Sequence, residues 1–380
     1  MIYLDYCATT PMHDEVLNTY NIINKEYWAN PSSLHKFGSM SNSLFEKAKT
    51  QALDVLKAKD HYQIIFTSGA TESNNLAISG IAHRYQNRGR HIITTVVEHN
   101  SVYQTCENLE KQGFKVTYLK VDEKGLVDLD ELKNALRPDT ILVSTMYVNG
   151  EIGTMMPIEA ISQVIKSYND NIFYHVDLVQ GFGKLPVDLH QMGIDLASLS
   201  GHKIYGPKGV GALVYLKTIN LEPLGFGGGQ QYQVRSGTID VASAVCLSKA
   251  MRLIAEIQEK NWHYVKKLNK MFYDELKTCD FLTLNSCEDI SSPYIINFSL
   301  HSIKAETFVH AMSEHDIYIS SKSACSSKTS KPSRILQAIG RNDLLASQSI
   351  RISLSHLTKV SDVEEFFKTF YEVINEVMVK

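Results

Sequence analysis

The segment Leu196 to Val210, LASLSGHKIYGPKGV, decides how the rest of this chain is interpreted. It begins as a short apolar strand, continues as a polar turn and ends in a tight turn around Gly206 and Gly209. A lysine at the end of a strand is often only a solvated loop residue. In a desolvated site, however, a lysine becomes an amine nucleophile. The polar turn contains three candidate functional residues: Ser200, His202 and Lys203.

The composition is that of an ordinary globular protein. Its 380 residues, 44% hydrophobic and 21% charged, can bury a large core and suggest one large domain with a smaller one. The formal net charge of -3 gives no reason to expect nucleic acid or a membrane as partner. The beginning, MIYLDYCATTP, has no basic and apolar leader, so we expect a cytoplasmic protein. Six scattered cysteines without a C-x-x-C pair argue against a disulfide framework and against a zinc site, and we expect no metal.

Apolar runs of strand length alternate with helical stretches between Tyr62 and Tyr215. This alternation predicts an α/β fold with a mainly parallel sheet sandwiched by helices. Ligands bind at the carboxyl ends of the strands in such sheets. The residues at these predicted ends are therefore candidate site residues: Ala70, Thr71, Glu98, His99, Asn149, Asp177, Gln180, Ser200, His202 and Lys203.

The pattern changes after Thr238. One long, possibly interrupted helix is predicted over 240–278, followed by shorter strands and helices. We predict a large domain of residues 15–256 and a small α+β domain of residues 1–14 and 257–380. Within the small domain, the polar segment 320–333 is expected to be exposed and mobile, and it contains Cys325.

Two features of the large domain indicate the type of ligand. The segment SGATESNN at 68–75 joins a strand to a helix, and its amides and the Thr71 hydroxyl suit a phosphate, although an ordinary capped helix would look the same. Neither of the known nucleotide-binding glycine motifs fits the chain. Asp177 lies in an apolar strand, where a buried carboxylate requires a cationic partner such as a protonated pyridine nitrogen.

Pyridoxal 5'-phosphate (PLP) accounts for all these parts together. Lys203 would bind its aldehyde, Asp177 its ring nitrogen and Gln180 its ring hydroxyl. His99 would lie against the ring face. The phosphate would be bound by Thr71, Ser200 and His202.

Motifs along almost the whole chain carry a family resemblance: YLDYCATTP, NPSSLH, FTSGATESNN, HVDLVQ, SLSGHKIYGPKGVGAL, RSGT, SKSACSS and SIRISLS. Together they resemble the NifS-like cysteine desulfurases, in the class V aminotransferase group of fold-type I PLP enzymes. The resemblance implies that PLP labilises L-cysteine and that a loop cysteine attacks the substrate sulfur. Alanine then leaves a persulfide on the enzyme.

Residue by residue, the resemblance assigns PLP attachment to Lys203, sulfur acceptance to Cys325 and proton transfer to His99. It adds Ala70 and Asn149 to the cofactor site. Thr238 in RSGT resembles the residue that reaches the PLP phosphate of the partner subunit, which implies a homodimer. Arg351 is the candidate for the substrate carboxylate, because a guanidinium binds a carboxylate through two hydrogen bonds.

The chain also departs from the family pattern. Gly150 stands where a second asparagine is usual, and Ser355-His356 stand where Gly-Arg is common. Tyr6, Cys7 and Lys322 are further departures. Alternatives therefore stay open: another class V PLP enzyme such as a selenocysteine lyase or an aminotransferase, a scaffold without catalysis, or a low-activity paralogue that works only with a dedicated partner.

The basic residues near Cys325 suggest a sulfur-acceptor protein with an acidic surface or with bound RNA. They are Lys322, Lys328, Lys331 and Arg334. The last predicted helix runs almost to Lys380, whereas members that supply an iron–sulfur scaffold typically carry a further C-terminal segment. We therefore expect a sulfurtransferase of tRNA thiolation or of a thiamine pathway as acceptor, rather than an Fe-S scaffold. A merely solvated basic loop is almost equally compatible with the sequence.

Overall fold

The computed structural model describes residues 1–321 and 332–378. The strands are β1 (Ile2–Tyr3), β2 (Tyr62–Thr67), β3 (His91–Thr95), β4 (Lys115–Leu119), β5 (Thr140–Met146), β6 (Phe173–Asp177), β7 (Leu196–Ser200), β8 (Gly211–Leu216), β9 (Leu282–Leu284), β10 (Ile295–Leu300), β11 (Ile317–Tyr318) and β12 (Ser349–Ser353). The helices are α1 (Asp14–Glu26), α2 (Lys36–Val55), α3 (Ala70–Tyr85), α4 (Asn100–Lys111), α5 (Leu129–Ala135), α6 (Ile158–Tyr168), α7 (Val241–Glu256), α8 (Gln258–Leu276), α9 (Ala305–Glu314), α10 (Arg334–Ala338), α11 (Asp343–Ser347) and α12 (Val360–Met378).

A seven-stranded sheet forms the centre of the molecule, in the order β2-β8-β7-β6-β5-β3-β4. Only β8 runs antiparallel to its neighbours β2 and β7, and the other pairs are parallel. Strands β5 and β7 are buried along their whole length, as expected where helices cover both faces of a sheet. The predicted α/β fold with a mainly parallel sheet is confirmed, and each of the predicted apolar runs contains one of its strands.

The helices that cover this sheet turn one apolar face towards it. In α4, for example, Val102, Cys106 and Leu109 are buried at positions i, i+4 and i+7, which share one side of a helix. The helix N-terminus therefore points to the same edge of the sheet at which β3 ends. This arrangement places His99, between β3 and α4, at that edge.

A second, antiparallel sheet has β10 between β12 and β9. Helix α12 packs on its core through Val363, Phe366, Phe367, Phe370 and Val373, all of them buried, as their helical spacing predicts. The long helix predicted over 240–278 is interrupted at Ile257, between α7 and α8. This break lies at the predicted boundary between residues 256 and 257. The division of the chain into two domains stays a prediction.

The N-terminal segment connects the second core to the edge of the large sheet. Strand β1 pairs in parallel with β11, and Leu4 and Cys7 pack in the apolar core around the second sheet. A few residues later, the Thr10 amide donates to the His202 carbonyl oxygen at 2.9 Å. The segment thus lies directly against the turn that contains Lys203. Among the described residues, no helix is both long and apolar enough to span a bilayer.

Candidate active site

A cavity of about 660 Å³ opens at the carboxyl ends of the central strands and is closed on one side by β12. Asn149 and Thr238 are not among its described lining residues. The other described residues that the sequence predicts for the site all line it: Ala70, Thr71, His99, Asp177, Gln180, Ser200, His202, Lys203 and Arg351.

The turn after β7 places Lys203 at the cavity. Its backbone packs so closely that a Cβ atom on Gly201 would lie 2.7 Å from the Pro207 carbonyl oxygen, which explains glycine at that position. The Lys203 Nζ atom donates to the carbonyl oxygens of Cys7 and Ala8, the latter at 2.8 Å. The N-terminal segment therefore fixes the direction of this amine.

Helix α3 directs its N-terminus, the predicted anion-binding end, to the cavity. Its N-cap, Gly69, has no side chain to satisfy the first amides of the helix, and Ala70 and Thr71 line the cavity there. His202 lines the same cavity, and burial, aided by Lys203, lowers its pKa to about 4. His202 is consequently neutral at neutral pH and offers an anion a hydrogen bond rather than a charge.

A hydrogen-bond chain connects Asp177 to His99. The Asn74 amide nitrogen donates to Asp177 Oδ2 at 2.8 Å and to Ser101 Oγ at 2.9 Å. The Ser101 hydroxyl lies 2.8 Å from His99 Nδ1, which also accepts the Ser101 backbone N–H at 3.2 Å. Because Nδ1 is an acceptor, the ring hydrogen of neutral His99 belongs on Nε2. The Val179 N–H holds the other Asp177 oxygen at 2.9 Å.

Sequence reasoning missed Asn74 and Ser101, although both lie in or next to segments that predict the site. A signal was available for Asn74: three residues after Thr71 in a predicted helix, it lies on the same face and can turn towards the same ligand. No comparable signal identifies Ser101, because its role depends on the approach of α3 to α4.

Arg351 is buried and held from two sides. Its Nη2 atom donates to Asp5 Oδ1 at 2.7 Å, and its Nη1 atom donates to the Gly150 carbonyl oxygen at 2.9 Å. Among the described residues, no partner accepts from its buried Nε. Burial raises the pKa of Asp5, whereas the charge of Arg351 opposes this change. The guanidinium is thus oriented before any ligand arrives.

Asn149 lies beside the cavity and shapes a turn. Its side-chain oxygen accepts the N–H groups of Glu151 and Ile152 at 2.9 and 3.0 Å, and its amide donates to the Val97 carbonyl oxygen at 3.1 Å. A cofactor contact of Asn149 stays a prediction. Gly150 lies next to it and does line the cavity.

The RSGT segment lies beside the anion-binding end. Arg235 forms an ion pair at 2.7 Å with Glu72, in the first turn of α3, and Thr238 is exposed. The expected contact of Thr238 with a partner subunit stays a prediction.

Arg334 was expected to be one of the surface charges near Cys325, but its side chain contacts other parts of the chain. It donates to the Val96 and Glu98 carbonyl oxygens, the latter at 2.7 Å, and its guanidinium lies 3.8 Å from the centre of the Tyr103 ring. It therefore forms part of the cavity wall and is not a free surface charge. Four other residues of that segment, Cys325, Lys322, Lys328 and Lys331, lie outside the described residues.

Glu98, which the sequence places at the end of a predicted strand without assigning it a role, is a buried carboxyl group in the cavity wall. Its Oε1 atom accepts from the Thr95 hydroxyl at 2.7 Å and from the Met146 N–H at 3.2 Å. Its Oε2 atom has no partner among the described residues. Burial, followed by the nearby charge of Asp177, raises the pKa of Glu98 to about 8. Glu98 is therefore mostly protonated at neutral pH.

This raised pKa predicts a pH-dependent contribution to stability. The folded state binds the Glu98 proton more tightly than the unfolded state, so the stability linked to it is complete below about pH 4 and is lost as the pH rises towards 8. The isosteric, uncharged variant Glu98→Gln should lose no such stability. We expect it to gain a few kcal/mol over the wild type at pH 8.5 and little at pH 4, because each tenfold difference in proton affinity is worth about 1.4 kcal/mol. Urea unfolding at both pH values measures the difference, and equal gains at both would contradict the prediction.

Comparison with known proteins agrees with this geometry. The family model described as "Aminotransferase class-V" matches residues 2–366. The chain belongs to the class V aminotransferase family. Within the family it is 41% identical over 376 residues to a cysteine desulfurase IscS of Dictyoglomus turgidum. The aligned residues cover 99% of this chain and 95% of that protein.

This class V aminotransferase has further similar relatives. It is 42% identical to a mitochondrial cysteine desulfurase of Eremothecium gossypii over 98% of the chain and 75% of that protein. A solved structure described as a NifS-like protein is 35% identical, covers 98% of this chain and 99% of its own, and superposes with a TM-score of 0.92. The fold is thus that of the NifS-like PLP enzymes, and the chain is a PLP-dependent enzyme of the cysteine desulfurase group.

The residues of the cavity fit PLP. An amine, a buried carboxylate and a helix N-terminus with uncapped amides lie around one cavity, and they match an aldehyde, a pyridine nitrogen and a phosphate. Asp177 supports this match further. It is buried, its described partners are the neutral N–H groups of Asn74 and Val179, and no cation forms an ion pair with it among the described residues. A pyridinium nitrogen supplies the cation that such a carboxylate requires.

Proposed function

We propose that this enzyme removes sulfur from L-cysteine, gives L-alanine and holds the sulfur as a persulfide on Cys325 for transfer to an acceptor protein. One observation carries the proposal: a single cavity combines the groups that fit PLP with a buried guanidinium, Arg351, that suits the carboxylate of an amino acid. The names of the relatives, cysteine desulfurases, favour cysteine as that amino acid.

The proposed roles follow from the contacts of each side chain. PLP, when bound, supplies the electron sink that makes the bonds at the substrate Cα and Cβ labile. Lys203 would hold the aldehyde and Asp177 the ring nitrogen. His99, which carries its hydrogen on Nε2 and is oriented by Ser101, would move a proton at the substrate. The phosphate would be held by the amides of α3 at Ala70, and by Thr71, Ser200 and His202.

The sulfur step balances without an external oxidant. The Cys325 thiolate attacks the substrate sulfur and forms a sulfur–sulfur bond, while the carbon–sulfur bond breaks and leaves its electron pair on the substrate carbon. That carbon takes up a proton, and the product is alanine. The other product is a persulfide on Cys325. The remaining alternatives, a selenocysteine lyase or an aminotransferase, share the PLP groups and do not require this thiol.

A direct experiment tests the proposal. The purified enzyme is incubated with L-cysteine, alanine is quantified, and the peptide that contains Cys325 is analysed by mass spectrometry after alkylation. We expect alanine together with a mass increase of one sulfur atom on Cys325. Alanine without this modification would indicate a lyase, and no alanine with a keto acid as product would indicate an aminotransferase.

Gly150 gives a prediction for the rate. A Cβ atom at this position would meet Gln180 Cγ at 3.5 Å, which is ordinary contact, so a side chain can begin there without a clash at its first atom. If the cavity lacks one hydrogen bond to a charged ligand, restoring it is worth roughly 1.5 to 3 kcal/mol. Gly150→Asn should therefore increase kcat/KM for cysteine by about tenfold or more. Gly150→Ala is the matched control because it adds the Cβ without the amide, and an equal effect of both changes would contradict the prediction.

The acceptor is a proposal of its own. A sulfurtransferase with its own cysteine, of tRNA thiolation or of a thiamine pathway, is supported by Lys322, Lys328 and Lys331 but no longer by Arg334, whose charge faces the cavity wall. The test offers the persulfidated enzyme a sulfurtransferase and an iron–sulfur scaffold at equal concentration. Faster transfer to the scaffold, or transfer that salt and lysine-to-glutamate changes leave unaffected, would overturn this choice.

A homodimer is supported by large apolar side chains outside the cavity. Leu34, Trp28 and Phe226 are 100%, 71% and 86% exposed, so they are accessible to a second subunit. Thr238 is exposed as well, as a residue that reaches a partner subunit has to be. Sedimentation measures the dimer, and a wild-type PLP affinity in Thr238→Val would contradict the contact with the phosphate. The cytoplasmic location stays a prediction.

A further inference from the structure

A second lysine, Lys184, contacts the predicted cofactor site through the side chain of Gln180. Lys184 Nζ donates to Gln180 Oε1 at 2.5 Å. Gln180 precedes Lys184 by four residues in the turn that follows β6. Cys7 Sγ lies 3.5 Å from the same oxygen, and Gln180 Nε2 donates to the Cys7 carbonyl oxygen at 3.1 Å. That carbonyl oxygen also accepts from Lys203.

These partners fix the orientation of the Gln180 amide. An ammonium group only donates hydrogen bonds, so the atom that faces Lys184 has to be the oxygen. A backbone carbonyl only accepts, so the atom that faces Cys7 has to be the nitrogen. The amide nitrogen is thereby directed to the side where Lys203 lies, and one of its two hydrogens is left for a ligand as far as the described residues show.

The surroundings of Lys184 are unfavourable for a positive charge. Burial lowers its pKa, and the charge of Arg351 acts in the same direction. Within the described residues, no carboxylate lies at ion-pair distance from Lys184, so its hydrogen bond to Gln180 is the polar contact that its ammonium group makes. Its other close neighbour is the Tyr294 ring, whose centre is 6.0 Å from Nζ. A partly buried cation without a counter-charge gains little stability from its position, so packing alone does not account for it.

We propose that Lys184 is a positioning residue that locks the Gln180 amide with its nitrogen towards the ring hydroxyl of bound PLP. The inference rests on the proposed cofactor site and goes beyond it by assigning a residue that does not line the main cavity. Without the ammonium group, the amide can rotate and present its oxygen instead of its N–H, and the ring oxygen then loses that hydrogen-bond donor. The positive charge near Lys203 also disfavours a further proton on the lysine–PLP group.

The test measures PLP itself, in the absence of cysteine. Apoenzyme is titrated with PLP, and the visible absorbance of the loaded enzyme is recorded as a function of pH. In Lys184→Met we expect the dissociation constant for PLP to rise about tenfold or more, and the pH midpoint of the absorbance change to move upward by roughly one pH unit. Lys184→Arg should restore most of both values. Lys49→Met is the matched control, because Lys49 is a buried lysine that does not line the cavity.

A double-mutant cycle separates this role from a structural one. In a Gln180→Ala background, Lys184→Met should weaken PLP binding no further, because the effect acts through Gln180. Additive losses, or a folded Lys184→Met enzyme with wild-type affinity and spectrum, would overturn the inference. Should Lys184→Met fail to fold, Lys184→Gln keeps a donor without the charge, and it should keep the affinity and still move the midpoint. Because cysteine is absent throughout, an enzyme that forms no alanine would contradict the desulfurase function and leave this result intact.

Discussion

Lys203→Ala is expected to abolish the covalent attachment of PLP and, with it, the visible absorbance that the attachment produces. The Lys203 amine is directed into the cavity by the carbonyl oxygens of Cys7 and Ala8, and it lies at the end of β7 beside Ser200. An alanine at this position offers no nucleophile to an aldehyde. Turnover of cysteine should fall by roughly a thousandfold or more, as is typical when an enzyme loses its covalent group.

The spectrum of the purified variant and its mass after borohydride reduction measure this loss. Lys208→Ala is the matched control, because Lys208 lies in the same turn, lines the same cavity and is more exposed. The control should keep the PLP mass after reduction. Retention of that mass in Lys203→Ala would show that another lysine binds the aldehyde, and it would remove the basis for the whole site.

The mainly parallel sheet and the position of its ligand edge could be predicted because both depend on local patterns. Apolar runs of five to seven residues in the strands alternate with helices, and the side chains at the strand ends gather at one edge for topological reasons. Lys203 and Asp177 were therefore identifiable from their places at the ends of β7 and β6. The antiparallel direction of β8 was not specified by its apolar run, since that run has the same composition in either direction.

What the sequence could not supply are contacts between segments that lie far apart in the chain. Asp5 and Arg351 are 346 positions apart, and Lys203 meets the Cys7 carbonyl oxygen across 196 positions. No periodicity or spacing specifies such pairs, because they depend on how the N-terminal segment crosses between the two cores. Arg334 is the clearest case: a basic neighbourhood suggested a surface charge, whereas its side chain turns inward to Tyr103.

Cys325 carries the second large prediction, because the cofactor site and the sulfur acceptor belong to different parts of the chain. The groups assigned to PLP, Lys203 and Asp177 among them, lie at the ends of the central strands, whereas Cys325 belongs to the segment 320–333 of the predicted small domain. Cys325→Ser should therefore keep the PLP absorbance and its change on addition of cysteine. A serine hydroxyl is a far weaker nucleophile than a thiolate and forms no persulfide, so the release of sulfide should fall by roughly a thousandfold.

Three measurements on one preparation make this prediction specific. The absorbance reports the cofactor, alanine reports cleavage of the carbon–sulfur bond, and sulfide released by a reductant reports the persulfide. Cys279→Ser is the matched control, because Cys279 is a partly exposed thiol at the far end of α8 and does not line the cavity. It should leave all three signals unchanged. Normal alanine and sulfide from Cys325→Ser would mean that sulfur leaves the substrate without a thiol acceptor, as in a lyase, and loss of the absorbance would mean that Cys325 contributes to the cofactor site after all.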